Sequence, residues 1–191
     1  MEKKQTKILA LVGKKRSGKD TVAEYLINHY KFQRYSFADP IKRAAMHMFG
    51  FTEAQMWGST EDKENIDPRW NISPRRMLQI IGTDLFQYDI QKHLKEGEFP
   101  FGRSVWVNRF KIWYREEMEN PYDIVIADMR FHHEAEAIRE LNGEIWRVVR
   151  PSLVSDDEHP SEREQETIAA DKTIVNDGSL HDLYDKIQKI I

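Results

Sequence analysis

The sequence contains no cysteine. That absence removes disulfide scaffolds, thiolate metal sites and thiol nucleophiles together, so any chemistry must run on oxygen, nitrogen and backbone groups. No apolar run approaches the roughly 20 residues needed to cross a bilayer, and no cleavage site follows the stretch from Met1 to Lys7. The expectation is a soluble, cytoplasmic chain with no membrane partner. Charge of one sign is also lacking. Lys plus Arg number 29 against 32 for Asp plus Glu, a formal net charge of -3, so the basic excess that phosphate neutralisation demands of a nucleic-acid coat is missing and no nucleic-acid partner is expected. Internal repeats, low-complexity tracts and an N-K-x-D guanine signature are likewise absent. What remains is 191 residues, 40% hydrophobic and 11% aromatic, enough for one domain with a buried core.

Ile8 to Val12 is a continuous apolar run bounded by charge, the pattern of a strand buried on both faces. Lys19 to Tyr30 follows with Val22, Ala23, Leu26 and Ile27 at helical spacing. Further strands are predicted at Tyr35–Ala38, Asp123–Ala127, Ile145–Val149 and Lys172–Val175. Helices are predicted from Asp39-Pro40 to Phe49, around Glu53–Trp57, from Ser73-Pro74 past a weak middle at Gly82 to Tyr88 or Leu94, from Ser104 to Asn120-Pro121, over Glu134–Leu141, and over Leu180–Ile191. The stretch between Arg150 and Ala170 reads as polar and irregular. The predicted architecture is α/β: a parallel sheet of about five strands with helices on both faces and a helical insertion. The core would comprise about 1–50 and 121–191, the insertion 51–120 and a lid 150–166.

Gly13-Lys14-Lys15-Arg16-Ser17-Gly18-Lys19 fits G-x-x-x-x-G-K and lies directly between a buried strand and a helix, the context a phosphate-binding loop requires. Glycines let successive N–H groups turn inward, the helix N-terminus adds positive potential, and Lys19 supplies a mobile cation. The residue after the lysine is Asp20 rather than Ser or Thr, with Thr21 one place on. Either Asp20 holds Mg²⁺ through water, or Thr21 supplies the hydroxyl, or Asp20 only favours the helix dipole. Asp128 ends an apolar strand, where ligands bind in open parallel sheets, and Arg130 and Glu134 follow closely. His132-His133-Glu134 lacks the spacing of a zinc site. Trp106, Phe110 and Trp113 at helical spacing either pack or stack a base, with Trp106 the candidate for stacking.

These pieces together with Phe37-Ala38-Asp39-Pro40-Ile41-Lys42, Arg76 to Thr83, Asp128-Met129-Arg130-Phe131, Arg147 to Pro151, His159 to Glu162 and Asn176-Asp177-Gly178 resemble, in order and spacing, the bacteriophage-type deoxynucleoside monophosphate kinases of the P-loop nucleoside monophosphate kinase group. The resemblance implies ATP phosphates on Gly13 to Thr21, including Lys14, Arg16, Ser17, Gly18 and Lys19, with Mg²⁺ near Asp20 and Thr21. It implies an acceptor monophosphate near Asp39, Lys42, Arg76 and Gln79, and Arg130 on the acceptor or the transferred group, organised by Asp128 and Glu134. Asn176 to Gly178 would border adenine, and Arg147, Arg150 and Arg163 are the arginines available to the transferred charge. Arg163 is either the moving lid arginine or part of a solvated helix face. Where a basic residue is expected soon after Gly82-Thr83, the chain has Leu85-Phe86-Gln87. A related P-loop kinase acting on dephospho-coenzyme A or phosphomevalonate, and a nucleotide-binding switch, are the competing readings. Relatives of this size include dimers, and the aromatics of the insertion would permit a homodimer.

Overall fold

The computed structural model of the chain describes residues 6–96, 98, 102–117, 122–153 and 160–191. In chain order the strands are β1 (Ile8–Val12), β2 (Gln33–Tyr35), β3 (Ile124–Ile126), β4 (Glu144–Val149) and β5 (Lys172–Val175). The α-helices are α1 (Lys19–Tyr30), α2 (Asp39–Phe49), α3 (Glu53–Trp57), α4 (Thr60–Glu64), α5 (Pro74–Gln79), α6 (Val105–Glu117), α7 (His132–Glu140), α8 (Pro160–Thr167) and α9 (Leu180–Gln188). A π-helical stretch, Ile80–Asp89, continues α5, and 3₁₀ turns cover Ile90–His93 and Gly102–Ser104. No helix of the described residues is long and apolar enough to cross a membrane. Asn120 and Pro121, expected to end α6, lie outside the described residues.

The chain separates into two compact units, residues 1–37 with 110–191, and residues 38–109. Among the described residues the first unit holds a five-stranded sheet in the order β2-β3-β1-β4-β5, every pairing parallel. All five residues of β1 are buried, as a central parallel strand covered on both faces requires. Alternation sorts them: Leu9 and Leu11 join Val125, Trp146 and Val148 under α1 and α9, while Ile8 and Ala10 point to the opposite face, where Ile138 of α7 is fully buried.

The second strand runs over Gln33–Tyr35 rather than Tyr35–Ala38. Tyr35 pairs with Ile126, and just beyond it the carboxylate of Asp128 accepts from the Ser36 hydroxyl (2.8 Å) and the Phe37 N–H (3.1 Å). Those bonds replace ladder partners and end the strand. The polar stretch after Arg150 contains α8, a helix considered above only as the alternative setting of Arg163. Gln165 and Ile168 at its C-terminal end are each 2% exposed, and the Arg147 guanidinium donates to the carbonyls of Gln165 and Ile168. A cation on the last carbonyls of a helix supplies the partners its end lacks.

In the second unit, Ile41, Ala45, Phe51, Met56 and Ile81 form one buried cluster. This cluster assigns α2 to residues 38–109, so the division falls earlier than the expected position 51. Gly82 is buried because a Cβ there would lie 2.7 Å from Ile41 Cδ1. Its carbonyl accepts from Trp106 Nε1 (2.8 Å) and Gln87 Nε2 (3.2 Å), side-chain donors in the stretch where the helix widens.

Candidate functional site

The loop between β1 and α1 has the backbone its sequence predicts. Gly13 (φ 146°), Arg16 (φ 65°) and Gly18 (φ 108°) all take positive φ, the backbone that lets a tight loop turn N–H groups toward an anion, and the Ser17 N–H closes a turn on the Lys14 carbonyl (3.1 Å). Gly13 is also sterically required, since a Cβ would lie 2.2 Å from the Val148 carbonyl oxygen. The Lys19 ammonium turns back over the loop and donates to the carbonyls of Gly13 and Lys14, the latter at 2.9 Å. Ser17 is 1% exposed, and its buried hydroxyl has no hydrogen-bond partner among the described residues. An orphaned buried hydroxyl and a folded-back ammonium both fit a loop shaped to take oxygens from an anion.

A cavity of about 330 Å³ opens beside the loop, lined by Gly13, Lys14, Ser17, Arg147, Arg150 and Glu166 among others. Lys14 forms an ion pair with Glu166 across it (3.1 Å), and Arg150 is exposed at the lining. Arg147 reaches the cavity but directs its guanidinium to the α8 carbonyls, so of the arginines expected to gather at the transferred phosphate it serves the scaffold instead. Arg163 lies on α8, and its side chain is outside the described residues, as are residues 154–159 of the expected lid. Asn176 donates from Nδ2 to the Ser17 carbonyl (2.9 Å), strapping the phosphate loop to the end of β5. Gly178 is exposed just before α9, whose Ser179 accepts from the Asp182 N–H (3.2 Å).

At the end of β3, Asp128 is half-buried and engaged by Ser36 and Phe37. Arg130 is half-buried two residues on. Glu134 is 3% exposed, and its Oε2 accepts from the N–H groups of Arg130 (2.7 Å) and Phe131 (3.1 Å). It therefore fixes the loop that carries Arg130. Burial pushes its carboxyl up to about 8, with the Asp128 charge adding to the shift, although the two N–H donors favour the anion. Of the neighbouring histidines, His132 bonds Thr167 Oγ1 through Nε2 (2.8 Å) and His133 stacks on Phe131 (5.3 Å between centroids).

Asp20 is exposed (72% of its side chain) and ion-paired with Arg34, and Thr21 is half-buried in the same first turn of α1. Among the described residues no group of three His, Asp or Glu side chains could hold a metal ion. Asp20 and Thr21 offer two oxygen donors beside the loop, the ligand chemistry of a hard divalent cation whose remaining ligands are phosphate oxygens and water.

In the second unit Asp39 and Lys42 stand on the first turn of α2, 3.8 Å apart. Arg76 is exposed and 3.5 Å from Asp84, and Gln79 is half-buried at the end of α5. Trp106 realises the packing alternative: its N–H is bonded to Gly82 and its ring lies 5.5 Å from Phe86. Trp57 was not foreseen at all. Its indole N–H donates to Asp39 Oδ1 (3.1 Å), and no sequence spacing links the two.

A parallel 2-3-1-4-5 sheet with a glycine-bounded phosphate loop on its central strand, a loop lysine and a carboxylate at the end of the neighbouring strand defines the P-loop nucleotide-binding class. Comparison with known proteins narrows this. The family model described as deoxynucleotide monophosphate kinase matches residues 7–67 and 51–187. A protein of Acanthamoeba polyphaga mimivirus, provisionally named a deoxynucleotide monophosphate kinase, is 40% identical over 184 residues, covering 94% of this chain and 93% of its own. The deoxynucleotide monophosphate kinase of Enterobacteria phage T4 is 26% identical over 250 aligned positions, covering 97% and 98%. The chain belongs to the deoxynucleotide monophosphate kinase family. Among solved structures, TT1252 from Thermus thermophilus shares the fold, with a TM-score of 0.51 at 17% identity and coverage of 98% and 97% of the two chains.

Proposed function

We propose that the protein transfers the γ-phosphoryl group of ATP to a deoxynucleoside monophosphate. An oxygen of the acceptor monophosphate attacks the γ-phosphorus, a new P–O bond forms, and the bond to the β,γ-bridging oxygen breaks. A deoxynucleoside diphosphate and ADP result, with no change of oxidation state and no net proton. Because such a reaction needs little covalent participation from the protein, catalysis rests on alignment and on cations around the migrating group.

The observation that carries this reading is the phosphate loop: three positive-φ residues, an unsatisfied buried Ser17 hydroxyl and a Lys19 ammonium resting on the loop's own carbonyls. On phosphate binding, Lys19 exchanges those carbonyls for β- and γ-phosphate oxygens, and the loop N–H groups bind the rest. Asp20 and Thr21 are the residues we assign to a divalent cation, which when bound neutralises phosphate charge. Lys14 and Arg150 at the cavity take ATP oxygens, with the Lys14–Glu166 pair giving way. Arg130 is assigned to the transferred group, held in place by the bonds of Glu134 to its loop, and Arg163 to a cation supplied by α8. Asp39, Lys42, Arg76 and Gln79 are assigned to the acceptor. Asn176 supports the loop, and with Gly178 borders the nucleoside of ATP.

The test is a coupled ADP-release assay over a panel of acceptors with the wild type and Arg130→Ala. The proposal expects turnover with at least one deoxynucleoside monophosphate and a loss of about 10²–10³-fold in kcat for the variant. Turnover only with phosphorylated acceptors that are not nucleotides overturns it.

A further inference from the structure

The geometry points to Trp57 as a positioning residue for the acceptor, acting through Asp39 and Lys42. This inference rests on the assignment of those two residues to acceptor binding. Trp57 ends α3 and is 38% exposed, yet its ring is engaged from several sides. The indole N–H donates to Asp39 Oδ1 (3.1 Å), the Lys42 ammonium stands 5.3 Å from the ring centroid and the Arg43 guanidinium 5.7 Å. Both cations are within the range of a cation–π contact.

Left alone, Asp39 and Lys42 would collapse onto each other. They are one helical turn apart with opposite charges, and a direct pair would occupy the groups an incoming anion and sugar need. They form only a loose ion pair, 3.8 Å, longer than a hydrogen bond, and each has a second partner on the same ring: the carboxylate its N–H, the ammonium its face. Lys42 is only 20% exposed at its side chain, so its stem is packed and its charged end aimed, which lowers the ordering entropy lost on binding.

The ring itself is held by a chain of contacts. Thr52 and Gln55 cap α3 reciprocally, with Gln55 N–H on Thr52 Oγ1 (3.2 Å) and Thr52 N–H on Gln55 Oε1 (2.9 Å). Gln55 Nε2 also donates to Asp67 Oδ2 (2.8 Å), and Asp67 is fixed by the Arg69 guanidinium. Met56, next to Trp57, is fully buried. A five-residue helix would fray by itself, but these anchors make it a rigid bracket for one side chain.

The experiment measures kcat and both KM values for wild type, Trp57→Phe, Trp57→Leu, Lys42→Met and the Trp57→Leu/Lys42→Met double variant, each checked for cooperative unfolding. Trp57→Phe keeps a ring face for Lys42 and removes the N–H to Asp39; Trp57→Leu removes both. The expected result is a rise in acceptor KM of about 3-fold for the first and about 10-fold for the second, with the KM for ATP unchanged. In the double variant Trp57→Leu adds no more than about 3-fold to the effect of Lys42→Met, the share that acts through Asp39, because the rest acts through the missing lysine. Unchanged acceptor KM in Trp57→Leu overturns the inference, and so do fully additive effects or an equal rise in both KM values. If the wild type turns over no deoxynucleoside monophosphate, the functional assignment fails first and takes this inference with it.

Discussion

Replacing Gly13 by alanine separates a phosphate loop whose shape matters from one that is merely glycine-rich. The added Cβ would lie 2.2 Å from the Val148 carbonyl oxygen and 3.0 Å from Ser17 Oγ. The first of these is backbone in β4, a strand paired on both sides with β1 and β5, so it cannot turn away, and relief requires the loop to move by roughly 1 Å. The residue also sits at φ 146°, where an L-side chain is strained by about 1–3 kcal/mol, and overpacking a fixed neighbour adds a similar amount. Together these predict a loss of about 3–5 kcal/mol, or roughly 10 °C in Tm for a chain of this size. The assay is thermal unfolding with and without ATP and magnesium. Wild type at 100 times its Kd should gain about 2.7 kcal/mol, and Gly13→Ala should show the lowered Tm and no nucleotide-dependent rise. A variant with the wild-type Tm and the wild-type shift would refute the steric argument.

Two further perturbations test the surrounding scaffold. Glu134 has a folded-state pKa of about 8 against an ordinary 4.5, so between those values the folded chain holds a proton that the unfolded chain releases. Stability is then greatest at the acid end of that window and falls as pH rises toward 8. Glu134→Gln keeps an oxygen for the two loop N–H groups, and urea unfolding at pH 5, 7 and 9 should show a smaller decline for it than for wild type; parallel curves would contradict the shift. Arg147→Lys retains charge but not the fork that reaches Gln165 and Ile168, and should cost about 1–3 kcal/mol in urea unfolding. Unchanged stability with a large fall in kcat would return Arg147 to the transferred phosphate.

Local chemistry explains which features could be read from sequence. α2 begins at Asp39-Pro40 and stops at Gly50, which takes φ 65°, because proline presets the first turn and glycine accepts the left-handed end. Ser73 caps α5 as expected, accepting from the Arg76 N–H. The phosphate loop was legible for the same reason, since its demands fall on residues close in sequence. Features decided by distant partners were not. The end of β2 depends on Asp128, 92 positions from Ser36. α8 depends on Arg147 reaching its C-terminal carbonyls, and without that cation its sequence reads as a polar loop. The π-helical stretch depends on Trp106 and Gln87 converging on one carbonyl. The role of Trp57 is hidden because a five-residue helix gives no periodicity to interpret and Asp39 lies 18 positions away.

In the proposed reaction a phosphoryl group held at the β1–α1 loop passes to a second nucleotide. Tracing label from [γ-³²P]ATP with each of the four deoxynucleoside monophosphates measures that directly. Label is expected in the β-position of at least one deoxynucleoside diphosphate, lost by orders of magnitude in Lys19→Ala while its fold persists. Label appearing only as inorganic phosphate, at a rate indifferent to every monophosphate, would contradict it.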